Sequence, residues 1–338
     1  MDIERKDKNI TPDWTDARER VTSVYNALVV LVGEMSDKVA SAENVEVKKA
    51  GRLVRYIVDM IADDDPLLLG MALCETRYDY PDRHPVNVCI LSVSLGHKIG
   101  LGKKQLAELG VVALLSDIGK HLVPPEVLNK DGIYDEDDWR AMKKHTIQGC
   151  KAVFGMGDAD EQLMKAAIVS FEHHLQADLS GYPKVRHIPA QDFYTRIVAI
   201  AELYDALTAH RSYAQGYRSP DRAVRILLEK AGRELDSVLT RQFVSMMGAY
   251  PTGSFVQLDT GELCIVVQRH DVFFKRPRVL VLSDGQGRPV KPFIAALSKR
   301  DKNGRYLRSI KKTLDPNKYK IDYASFFYSK PSGFRDID

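Results

Sequence analysis

Apolar residues return every third or fourth position along most of this chain, and that period limits what it can fold into more than any single motif does. Val21, Tyr25, Leu28, Val32, Met35 and Val39 are spaced 4, 3, 4, 3, 4, and Val47, Ala50, Val54, Ile57 and Ile61 are spaced 3, 4, 3, 4. Stripes of this kind cover one face of an α-helix. Residues 1–76 are therefore expected to be a helical region whose two helices, turned by residues 41–44, form a hairpin that packs on the next domain or pairs two copies of the chain as a homodimer. Helix after helix follows, over 84–99, 103–115, 135–154, 162–174 and 192–210, with Asp135 and Asp138 placed as an N-cap and acidic first turn. Ser219 before Pro220 opens another, ended by Gly232. Between 174 and 191, glycine, proline and polar residues predict a surface loop. Pro251 and Gly253 stop the helical pattern, and the short β-branched runs 254–258, 263–269 and 278–282 predict a small antiparallel sheet. The reading is a mainly α protein: a helical bundle over 77–250, the N-terminal helical hairpin before it, and a small β-rich basic extension over 251–338 after it.

At 338 residues and 44% apolar content the chain can bury a large core with one or two satellites. No window approaches the roughly 18 consecutive apolar residues of a membrane-spanning helix. Residues 1–13 carry charges rather than an apolar signal segment, so no membrane span is expected and the setting is read as cytoplasmic. Cys74, Cys89, Cys150 and Cys264 lie far apart without a CxxC pair, which argues against a zinc ribbon or disulfide framework and suits buried thiols in a reducing compartment. The net charge of +3 hides an asymmetry, for residues 251–338 hold 17 Lys and Arg against 9 Asp and Glu. Those positive charges are interspersed with acids and form no helical stripe, so they read as a solvated basic surface, and nucleic acid ranks last among partners.

The residues that carry chemistry fall mostly at helix ends. His84 opens one predicted helix, Asp117 ends the next, His145 lies mid-helix, and His173 and His174 close another before the glycine-proline loop. Glu202 and Asp205, three apart, share a face further on. Six or seven donors on five elements is what a dinuclear metal site in a helical bundle needs, because each helix aims only one or two side chains inward. Histidines around a shared carboxylate suit borderline metals such as iron, manganese or zinc. Taken singly each has an ordinary reading, His84 as a helix-end residue and Asp117 as a cap. The adjacent histidines are harder to read as core filling, since neighbours on a helix face different ways. His97, His187, His210 and His270 fit no such pattern. Gly181-Tyr182-Pro183 combines backbone freedom, a rigid aromatic face with a hydroxyl, and a fixed turn; alone it reads as a plain turn, and beside the paired histidines as a surface that meets a base, a metal-bound water or a partner protein.

In this order the motifs resemble the HD-GYP domain family of metal-dependent phosphohydrolases. Ala113-Leu-Leu-Ser-Asp-Ile-Gly-Lys120 is similar to its HD segment and Met142-Lys-Lys-His145 to its downstream histidine. His173-His174 with Gly181-Tyr182-Pro183 is similar to its namesake loop, and Ala201-Glu-Leu-Tyr-Asp-Ala-Leu-Thr208 with Arg211-Ser-Tyr213 to the segment after it. The resemblance implies an HD-type bundle and a bacterial signalling phosphodiesterase that hydrolyses cyclic di-GMP with two divalent ions, iron or manganese. It implies metal ligands at His84, Asp117, His145, His173, His174 and Glu202, with Asp117 bridging and, with Lys120, catalytic. Lys120 and Arg211 would meet the substrate phosphates, and Tyr182 is read as a further substrate contact.

Departures from the family pattern bear on activity. Ser116 stands where the family has the histidine of the HD pair, so one metal loses a donor. Glu202 replaces an aspartate, Leu175 a glutamate and Ala214 a basic residue. Tyr80 stands where members with three metals have a glutamate, so a third ion is not expected. Two functions follow: an enzyme slowed by a weakened second metal, or a degenerate domain that senses cyclic di-GMP or docks a partner signalling protein through its Gly181–Pro183 loop without turnover.

Overall fold

A computed structural model of the chain describes residues 14–63, 66–73, 82–130, 132–157, 160–185, 188–208, 219–270, 272–315 and 319. Cys74, Tyr80, His187, His210, Arg211 and Ala214 lie outside the described residues.

Two long helices come first. α1 (Trp14–Ala40) and α2 (Val47–Ala62) each bury the stripe read from the sequence, Tyr25 and Leu28 in the first, Ala50, Val54 and Ile57 in the second. Ala42, at φ 57°, and backbone bonds from Ala42 N to Val39 O and Glu43 N to Lys38 O turn the chain between them. α3 (Pro66–Leu73), α4 (Arg83–Lys98) and α5 (Lys103–Leu115) follow, after which the chain tightens into a 3-10 turn (Ile118–Leu122) and the short α6 (Pro125–Leu128). α7 (Glu136–Met142) is capped by Asp135, whose carboxylate accepts from the backbone N–H groups of Asp137 and Asp138. α8 (His145–Phe154), α9 (Glu161–Glu172), α10 (Phe193–Thr208), α11 (Pro220–Lys230) and α12 (Ser237–Met247) complete the bundle. The stretch 135–154 is thus two helices broken at Lys143 and Lys144 rather than the single helix its sequence predicts. His145 accordingly begins a helix instead of lying within one, and its ring reaches back to the Met142 carbonyl at the end of α7.

α4 is the spine of the bundle. It packs against α5 and α10 and touches α1, α2, α3 and α12, and it is buried nearly all round from Pro85 to Gly96, a stretch whose polar side chains are only those of Asn87, Ser92 and Ser94. Two glycines permit close approaches. A Cβ at Gly110 in α5 would collide with Val54 of α2, and one at Gly119 would collide with the backbone of His145 and Gly149 in α8. The second contact sets the turn bearing Asp117 and Lys120 flush against the first turn of α8.

β1 (Phe255–Leu258), β2 (Leu263–Gln268), β3 (Arg278–Ser283), β4 (Pro289–Ala296) and β5 (Ile310–Thr313) form an antiparallel sheet in the order β4-β3-β2-β1-β5. Both faces of its centre are covered. Phe255, Ile265 and Leu280 join the core that runs through the helices, while Val256, Cys264, Val266, Val279 and Val281 build a second cluster on the other side. No described helix is long and apolar enough to cross a membrane.

Candidate metal centre

Five elements deliver side chains to one place. His84 lies in the first turn of α4, Asp117 between α5 and the 3-10 turn, and His145 opens α8; His173 and His174 follow the last turn of α9, and Glu202 and Asp205 lie in α10. Asp117 is at the middle. Its Oδ2 is 3.2 Å from His84 Nε2, and its Oδ1 is 3.3 Å from His173 Nε2 and 3.5 Å from His145 Nε2. The Nε2 atoms of His145 and His173 are 3.1 Å apart, and His174 Nε2 is 3.7 Å from Glu202 Oε1. Two donor sets result, Asp117 with His145, His173 and His174, and Asp117 with His84 and Glu202, each with its ligand atoms within 4.8 Å of one another.

Hydrogen bonds behind the rings aim them inward. Nδ1 of His145 donates to Met142 O (2.7 Å), Nδ1 of His173 to Ser170 O (2.9 Å) and Nδ1 of His84 to Asp205 Oδ2 (2.6 Å). Carbonyl and carboxylate oxygens only accept, so the proton of each neutral ring belongs on Nδ1 and the Nε2 lone pair is directed at Asp117. Asp117 Oδ1 is buried without a hydrogen-bond partner. Converging lone pairs around an orphaned carboxylate oxygen are unfavourable alone and fit a divalent ion of borderline softness.

The charges follow the same pattern. Burial opposes ionisation of Asp117, but the Lys120 cation, donating to Oδ2 at 2.5 Å, and the contacts with His173 and His84 hold its carboxyl well below the usual range. Burial pushes His145 down to about 4, and burial with the neighbouring His173 takes His174 well below the usual imidazole value, so both stay neutral and able to donate a lone pair. His84 and His173 go the other way: burial would lower them, but Asp117 and Asp205 raise the first, and Glu202 and Asp117 raise the second. Glu202 is raised by its burial.

Ser116 takes no part. Its Oγ donates to Ala113 O (2.9 Å), one turn back in its own helix, so its hydroxyl is satisfied away from the donors. Asp205, noted in the sequence only as a face-mate of Glu202, stands one step behind the centre. Its Oδ2 accepts from His84, its Oδ1 from Asn87 Nδ2 (2.9 Å), and Asn87 Oδ1 accepts from Tyr25 Oη (2.8 Å), so the chain of bonds ends on α1. The overlooked cue is Asn87 itself, three residues after His84 and therefore on the same helix face. On the outer side, Gly181, at φ 89°, lies so close to His174 O that a Cβ would collide, and Tyr182 N donates to the same carbonyl (3.2 Å). That closure lays the Tyr182 ring on His174, with centroids 4.6 Å apart.

A family model described as HD domain matches residues 55–239. The chain is 30% identical over 237 residues to a cyclic di-GMP phosphodiesterase of Pseudomonas aeruginosa, a match covering 70% of this chain and 56% of that one. It is 26% identical over 207 residues to a 3'3'-cGAMP-specific phosphodiesterase of Vibrio cholerae, covering 59% of this chain and 39% of the relative. Among solved structures, one described as a HDG"Y"P protein from Bdellovibrio bacteriovorus aligns with a TM-score of 0.54 at 18% identity over 70% of this chain and 73% of that chain, which is a likeness of fold. The chain spans about half the length, or less, of these curated relatives.

Proposed function

The chain belongs to the HD domain family, in its HD-GYP group, and on that premise we propose that it binds two divalent ions, iron or manganese, and hydrolyses cyclic di-GMP. The observation that carries this reading is Asp117, whose two buried oxygens face two different donor sets. Asp117, His145, His173 and His174 would hold one ion, and His84, Asp117 and Glu202 the other. Such ions supply withdrawal of charge from a phosphoryl oxygen and acidification of water. The remaining work falls to the chain. Lys120, partly open to solvent beside Asp117, offers its ammonium to a substrate phosphate, and Arg211 is its counterpart on sequence grounds. Tyr182, half-buried on His174, presents a ring and hydroxyl at the mouth of the centre. The relatives carry the names of two cyclic dinucleotides, and the Pseudomonas one, matched over more of this chain, favours cyclic di-GMP.

Protein prepared without chelator and loaded anaerobically with Fe(II) or Mn(II) should carry two ions per chain and convert cyclic di-GMP to a linear dinucleotide. Asp117→Asn should lose both ions and the activity. A preparation holding two ions that leaves cyclic di-GMP intact over hours would remove the enzymatic reading. The turned-away hydroxyl of Ser116 favours a second reading, a domain that binds the nucleotide without turnover. In that case Ser116→His should gain hydrolysis at unchanged affinity, and equal rates in parent and variant would clear the serine of blame. Exposed Val30 and Tyr56, which line a groove between α1 and α2, support pairing of two copies through these helices.

A further inference from the structure

Beside the metal centre, α7 presents Trp139, 47% exposed, at a surface hollow of about 560 Å³ lined by Glu136, Trp139, Arg140 and Lys143. Lys143, exposed at the break between α7 and α8, holds its Nζ 5.8 Å from the centre of the Trp139 ring and 5.7 Å from the centre of the Tyr182 ring. Tyr182 in turn lies 4.6 Å from the His174 ring. A path of three rings and one charge therefore leads from the candidate ligands to the hollow: His174, Tyr182, Lys143, Trp139. The i,i+4 spacing of Trp139 and Lys143 would by itself be an ordinary contact on a helix surface. What sets it apart is the second ring on the other side of the cation, carried by the loop that closes on His174. The platform is also fixed: Tyr134 meets the indole edge-on at 5.4 Å, and Lys130 ties down Asp135 and Asp138 at the capped start of α7.

We propose that Trp139 and Lys143 form an outer subsite, taking a purine base and the distal phosphate of a cyclic dinucleotide whose other phosphodiester lies at the metal centre. The inference rests on the function proposed above, and it names where the second half of that substrate is held. An exposed indole stacks on any purine, and a lysine held between two rings presents its ammonium beside that stacked base, where a phosphate can pair with it. Lys143 would thus meet the distal phosphate, while Lys120, with Arg211 as its counterpart on sequence grounds, serves the phosphate at the metal centre.

The chain has two tryptophans, Trp14 and Trp139, so in a Trp14→Phe background the indole emission reports on this subsite alone. Titration of the metal-loaded protein with cyclic di-GMP, and separately with GMP, should quench that emission. Trp139→Ala and Lys143→Ala, read by calorimetry, should each weaken the Kd for cyclic di-GMP by about ten-fold or more, with metal content and thermal midpoint at parental values, and Lys143→Arg should restore most of the loss. Absence of any quench, or parental Kd in both alanine variants, would overturn the subsite. A parent that binds with quenching but never cleaves would support the subsite and sink the hydrolase reading. A parent that cleaves, with Kd and KM unmoved by either substitution, would overturn the subsite and leave the hydrolase reading standing.

Discussion

Behind the centre, His84 is oriented by the bond from Nδ1 to Asp205 Oδ2, and Asp205 is itself held by Asn87. A histidine that donates Nδ1–H to a carboxylate is fixed in tautomer and made a better donor at Nε2. That support matters most in the second donor set, which has His84, Asp117 and Glu202 while Ser116 faces Ala113. Asp205→Asn keeps the size of the side chain and removes the charge. It is expected to weaken the ion held by His84 about 10 to 100-fold, while the ion at His145, His173 and His174 keeps its affinity; competition with a metallochromic chelator would resolve the two steps. Equal affinities before and after the substitution would deny Asp205 its positioning role. Sequence spacing put Glu202 and Asp205 on one face but could not tell which meets the metal and which the histidine behind it, because that depends on how α10 lies against α4. The start of α8 was hidden for another reason. Lys143 and Lys144 are good helix formers, and no glycine or proline announces the break between them.

Among the elements, those with a 3.6-residue period were legible, and so were β1, β2 and β3, whose β-branched runs are covered on both faces. β4 and β5 were not, and their place explains it. They are the two edges of the sheet, where Pro289, Pro292, Lys311 and Lys312 are tolerated and suppress the pattern that marks a strand. The β5 edge is secured from the side, for Arg308 Nε and Nη2 donate to Glu262 Oε2 and Oε1 at 2.8 and 2.9 Å. Burial would raise Glu262, but the guanidinium outweighs it and holds the carboxyl below its ordinary value. A carboxyl whose pKa is lower folded than unfolded adds stability above the unfolded value, about 4.3 for Glu, and loses it as the pH falls through the folded one. The thermal midpoint of the parent should therefore fall more steeply on acidification below about pH 5 than that of Arg308→Met, in which the pair is gone. Parallel slopes in the two proteins would mean that the pair adds nothing to the sheet.

At the scale of the whole molecule, the candidate ligands span residues 84 to 202 and come from elements that meet only when the bundle is packed. An ion that binds this arrangement and not the unfolded chain stabilises the fold by mass action, about 4 kcal/mol when its concentration is a thousand times its Kd. The gain should register in the global transition, because one apolar core runs from Val21 in α1 to Leu280 in β3 and ties the helices around the centre to the inner face of the sheet. Without an ion, Asp117 and Glu202 remain buried side by side, and Lys120 with the rings of His84 and His173 is left to offset their desolvation. Chelator-treated protein should therefore melt several degrees below the metal-loaded form, Mn(II) or Fe(II) should restore the midpoint in proportion to the logarithm of its concentration, and Asp117→Asn should not respond. A midpoint indifferent to both chelator and added metal would mean that histidines and carboxylates reach these positions without an ion to gather them, and the dinuclear reading of the centre would fall with it.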